Sequence, residues 1–105
     1  MANYVEKARV YEEAKRFDRA ISQWESIIGK ASHNDEYKLK YSKVLYKVIK
    51  KEEKGSSKTK EAYEKLILIS EQTKDLDIKK EINDIRDKAY IYTKGELKDE
   101  GEIDA

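Results

Sequence analysis

A chain of 105 residues suffices for one hydrophobic core, and 43% charged against 38% hydrophobic residues leaves apolar side chains for about one stripe per helix. With no cysteine, no proline and one histidine, disulfides, thiolate nucleophiles and nitrogen- or sulfur-rich metal centres within one chain are excluded, and a net charge of +1 gives no global attraction to nucleic acid or anionic membrane. No apolar run approaches the roughly 18 residues of a membrane span and no signal-like core opens the chain, so a soluble, cytoplasmic protein is expected.

Tyr4, Ala8 and Tyr11 recur at four and three residues and predict a first amphipathic helix. Lys15-Arg16 marks a turn, and Phe17, Ala20, Ile21, Trp24, Ile27 and Ile28 form the stripe of a second helix. Ala8 and Ala20 let two backbones approach closely while Tyr11 and Trp24 fill the space beside them, so the two segments read as a packed hairpin. Ser32 or Asn34 caps a third helix, Asp35-Glu36 suit the positive end of its dipole, and Tyr37, Tyr41, Val44, Leu45, Val48 and Ile49 form its stripe. That pattern fades in Lys50-Lys51-Glu52-Glu53-Lys54. Gly55-Ser56-Ser57 then supplies a helix-ending glycine and the cap of a fourth helix, buried through Ala62, Leu66 and Ile69 with Tyr63 and Ile67 beside them. Asp75 or Asp77 caps a fifth helix that carries Ile78, Ile82, Ile85, Ala89 and Tyr92 inside, has a charged outer face and ends at Gly95. Residues 96–105 hold five carboxylates against one lysine and too few apolar side chains to pack. They read as an acidic flexible tail able to fold back on the lysine-rich third helix.

The set Tyr4, Ala8, Tyr11, Phe17, Ala20 and Trp24 resembles the tetratricopeptide repeat, a helix–turn–helix unit of about 34 residues that stacks to build a groove holding another protein. Lys7 stands where the family has leucine, Ile27 where a small residue is usual, and no proline follows the second helix. Shifted by one repeat, Ser42 lies over Ala8 and Leu45 over Tyr11, while Lys38 departs from the usual aromatic. Ala62 then falls eight residues late against Ala20, as an extended third helix and a longer turn would place it. The resemblance implies an all-α domain over residues 1–95: a five-helix right-handed stack of two hairpins and a C-terminal capping helix. It also implies a groove built by the first and third helices and faced by Val5, Arg9, Glu12, Leu39, Lys43, Tyr46 and Lys47. Such a surface is apolar and net basic, and the implied partner is a protein segment with acidic and apolar residues. In the family's carboxylate-gripping pocket for chaperone tails, a lysine and an asparagine occupy the places where Val5 and Arg9 stand, so that ligand is not implied.

Ser32, His33 and Asp35 are sequence neighbours at a helix start, where capping is their reading and a catalytic triad is not. The pairs Glu12-Glu13, Glu52-Glu53 and Asp99-Glu100 sit among other charges, and the four glycines are isolated, with no phosphate-cradling loop. No catalytic residue, metal or cofactor is therefore expected, and a non-enzymatic interaction module is. The alternative is nucleic-acid binding through Lys38 to Lys60, where nine lysines face two glutamates. Against it stand the scatter of those lysines around the third helix and the lack of a recurring aromatic–basic motif. A subunit of a homo- or hetero-oligomeric assembly is the third reading.

Overall fold

The computed structural model describes residues 2–94, so the tail expected over 96–105 and the helix end expected at Gly95 lie outside the described residues. Five helices follow one another: α1 (Ala2–Glu13), α2 (Phe17–Lys30), α3 (Asp35–Lys51), α4 (Ser57–Gln72) and α5 (Leu76–Tyr90), then a 3-10 turn at Ile91–Thr93. The described residues contain no strand. The fold is all-α.

The turn between α1 and α2 sits where Lys15-Arg16 predicted it. Lys15 takes a left-handed φ of 61°, a conformation that costs a non-glycine residue about 1–2 kcal/mol, while the Lys15 and Arg16 amides donate back to the Glu12 and Tyr11 carbonyls at 2.9 and 2.8 Å. No side chain caps α2, but Asp18 stands in its first turn, where a carboxylate favours the helix dipole. The later starts are capped as the sequence requires. Asn34 accepts from the Tyr37 amide, Ser56 from Thr59, and Asp75 from Asp77 and Ile78, each cap worth about 1 kcal/mol.

α1 packs on α2, α2 on α3, α3 on both α4 and α5, and α4 on α5. Ala8 and Ala20 are fully buried and Trp24 is 2% exposed, which suits the close hairpin the small residues predicted. Tyr4 differs from its expected place on the packed face: it is 42% exposed at the first turn of α1, with the Lys30 ammonium 4.8 Å from its ring centre. The long α3 is the axis of the fold, burying Tyr41, Val44, Leu45, Val48 and Ile49. Ala62, Leu66 and Ile69 of α4 and Ile82 and Ala89 of α5 complete this core.

α3 ends at Lys51, so Gly55 serves the connection and not the helix end itself. Its φ of 76° is the left-handed region that favours glycine, and its amide donates to the Tyr92 carbonyl at 2.9 Å, tying the α3–α4 connection to the turn after α5. α5 stops at Tyr90, and the 3-10 turn carries Tyr92 back to α3.

Candidate functional site

The sequence places Val5, Arg9 and Glu12 on α1 and Leu39, Lys43, Tyr46 and Lys47 on α3. Five of these, Val5, Arg9, Glu12, Lys43 and Lys47, line one depression of about 260 Å³ together with Trp24 and Lys40. Four cationic side chains and one carboxylate therefore surround an apolar floor. Leu39 and Tyr46 do not line it. Leu39 is half-buried against the core, and Tyr46 meets Tyr92 edge-on at 6.4 Å between ring centres, with the Lys50 ammonium 4.4 Å from its ring centre.

Glu12 is the pivot of the depression. Its Oε2 accepts from the Trp24 indole N–H at 3.0 Å, and its Oε1 lies 3.6 Å from the Lys47 Nζ. The indole also packs 5.8 Å from the Tyr37 ring, so α1, α2 and α3 are joined at one point. Arg9 is answered on its own helix, by Glu6 one turn before and by Glu13 at 2.6 Å, and these hydrogen bonds and charges hold its proton more tightly than usual. Its charge is thus largely neutralised in place. The positive field comes from the lysines. Lys40 and Lys43 are exposed and make no ion pair among the described residues.

Lysines expected to act together prove to do different work. Lys38 is 3% exposed, and its ammonium donates to Asp35 Oδ1 at 3.0 Å and to the Gln72 carbonyl at 3.1 Å. Asp35 Oδ2 in turn accepts from the Lys74 and Asp75 amides at 3.1 and 2.7 Å, clasping the start of α3 to the α4–α5 connection. Burial by itself would raise the Asp35 carboxyl, but these hydrogen bonds and the Lys38 charge outweigh it and hold the pKa below the ordinary value. Lys58 pairs with Asp18 at 2.9 Å and approaches Glu52 at 3.9 Å, so it fastens α4 to α2. Its hydrogen bond to Asp18, aided by the Asp18, Glu52 and Glu61 charges, outweighs the opposing effect of burial and raises its pKa. A third junction joins α2, α3 and α4, where Glu25 accepts from the Tyr41 hydroxyl at 2.7 Å and pairs with Lys65 at 2.8 Å. Burial, then the Glu25 hydrogen bond and charge, push the Tyr41 phenol far up.

Four of the six lysines of α3 depart from the expectation of scatter, whereas Lys38 is buried and the Lys51 ammonium lies 5.5 Å from the Phe17 ring centre. Lys40, Lys43, Lys47 and Lys50 follow at intervals of three, four and three residues and are all exposed, so they form one stripe on the side of α3 away from its buried face. Two contributors to the depression were also missed. Lys40 was legible as the residue one turn before Lys43, and Trp24 had been assigned to hairpin packing alone.

Among the described residues no helix is long and apolar enough to cross a membrane. Comparison of the chain with protein-family models, with curated proteins and with solved structures gives no match.

Proposed function

We propose that this chain is a non-enzymatic protein-interaction module of tetratricopeptide-like build, which holds a partner segment with acidic and apolar residues against α1 and α3. The observation that carries the reading is the depression in which Lys40, Lys43 and Lys47 stand around one carboxylate, with Val5 and Trp24 beside them. Lysines of this kind attract a carboxylate-rich partner over about 8–10 Å in physiological salt, and the apolar floor supplies short-range affinity. Fully buried Ala8 and Ala20 beside Trp24 support the first hairpin of a right-handed stack, and the packing of α5 on α3 and α4 supports its role as the cap.

A second reading has support of its own, because the aligned lysines of α3 also suit a phosphate backbone. The buried Lys38 and the paired Lys58 do not contribute to it.

The test is affinity purification from cells that make the protein, with and without nuclease, followed by mass spectrometry of what three baits retain. The baits are the parent chain, Lys43→Glu with Lys47→Glu, and Lys60→Glu with Lys80→Glu. The last pair is exposed and lies outside the depression, and it replaces Lys58 as control because Lys58 has structural partners. The expected result is a nuclease-resistant protein lost only from the Lys43/Lys47 bait. Loss on nuclease treatment overturns the reading and favours nucleic acid, and equal loss from both variants overturns it by taking the depression out of the interaction.

A further inference from the structure

The stripe on α3 constrains the shape of what binds it as well as its charge. At 1.5 Å rise per residue, Lys40, Lys43, Lys47 and Lys50 advance by about 4.5, 6 and 4.5 Å, covering about 15 Å along the helix. A second α-helix with carboxylates at i, i+3, i+7 and i+10 advances by the same steps and keeps every charge pair in register. An extended segment with alternating carboxylates advances about 6.6–6.8 Å per pair of residues, so over three steps it overshoots by about 5 Å, close to a full helical turn.

The surroundings also suit a helix. Val5 and Trp24 border the stripe on the α1 side, while Leu39 and Tyr46 on another side of α3 are half-buried against the core, Tyr46 beside Tyr92 and Lys50. A helix lying along α3 sets apolar side chains at i+3 or i+4 beside its acidic row, where such flanking contacts are available. Lys40 and Lys43 have no carboxylate partner among the described residues, and Lys47 has only the 3.6 Å approach to a Glu12 that is also engaged with Trp24.

We infer that the occupant of this face is an acidic amphipathic helix of a partner protein, aligned along α3 with its carboxylates in the three–four spacing of the lysines. This inference rests on the groove reading above and specifies the partner's conformation.

Three synthetic 18-residue peptides of identical composition test it against the full chain: one with glutamates at i, i+3, i+7 and i+10 and leucines flanking them, one with the same glutamates spread around the helix, and one alternating as a strand. Fluorescence of the single tryptophan, which floors the depression, and calorimetry report binding. The in-register helix is expected to bind about tenfold more tightly than either other peptide, with that advantage lost in Lys43→Glu with Lys47→Glu. If all three bind equally and all depend on those lysines, the helix inference falls while the groove reading stands. If no peptide binding depends on them, both fall. Sedimentation of the chain alone is the companion measurement: a dimer that Lys43→Glu with Lys47→Glu dissolves would make the occupant a second copy and overturn the inference.

Discussion

Lys38 and Lys43 stand five residues apart on one helix and have opposite fates. The Lys38 ammonium is shut in by Asp35 and the Gln72 carbonyl and joins α3 to the end of α4. The Lys43 side chain lies in solvent beside a depression, without an ion pair among the described residues. A lysine count over Lys38 to Lys60 treats them as equal members of one basic patch. Once partners are assigned, part of that charge belongs to the architecture, and the exposed part that shares one face of α3 is the stripe from Lys40 to Lys50.

The largest expected effect breaks this contrast directly. Lys38→Ala leaves the Asp35 carboxylate, whose side chain is 12% exposed, without its cation and leaves the Gln72 carbonyl without its donor, a loss of about 3–5 kcal/mol. Lys43→Ala removes an exposed charge and is expected to stay within about 0.5 kcal/mol of the parent. Urea unfolding of the two variants measures the difference. Equal midpoints would mean that the clasp at the start of α3 contributes nothing to the fold.

A smaller effect sharpens the same contrast through pH. Asp35 is held below its ordinary pKa in the folded chain, so between the folded and unfolded values the unfolded chain binds more protons. Its contribution to stability is complete above the unfolded value of about 3.9 and is lost as pH falls through the lower folded value. Asp35→Asn, which keeps an acceptor but not the charge, is expected to cost roughly 1–3 kcal/mol at neutral pH. Urea midpoints from pH 6 down to pH 2 should show the gap to the parent closing as the parent's carboxylate is protonated. A gap constant across that range would remove Asp35 from the acid response.

Much of the fold was legible because its signals are local. The three side-chain caps at Asn34, Ser56 and Asp75, the turn at Lys15 and the stripes of α2 to α5 follow from spacing within a few residues. The candidate site was legible in part. Val5, Arg9, Glu12, Lys43 and Lys47 converge, whereas Tyr46, which the resemblance places in the groove, is engaged by Tyr92. No local signal announces a ring arriving from the turn after α5. Lys38 was readable in principle, since it falls three residues before Tyr41 and seven before Leu45 on the buried stripe, with an acid one turn before it. The pairing of Lys58 with Asp18, separated by 40 residues, depends on how α2 and α4 meet and leaves no trace in sequence spacing.

The smallest effect concerns Glu12, where structural and charge roles share one side chain. Its Oε2 satisfies the Trp24 indole, and its negative charge is the only one lining the depression. Glu12→Gln retains a side-chain oxygen for the indole and removes the charge, so stability should change by less than about 1 kcal/mol while an in-register acidic peptide binds a few-fold more tightly, most visibly at low salt. Glu12→Ala provides the counterpoint. It removes the same charge but leaves the part-buried indole N–H without its acceptor, and should lose about 1–3 kcal/mol of stability for the same gain in net positive charge. Thermal melts paired with peptide titration separate the two roles: affinity should track the charge in both variants, and stability should fall only in the alanine. If Glu12→Gln instead weakens acidic-peptide binding, Glu12 supports the ligand geometry more than it opposes the ligand charge, and the depression recognises its partner by shape before sign.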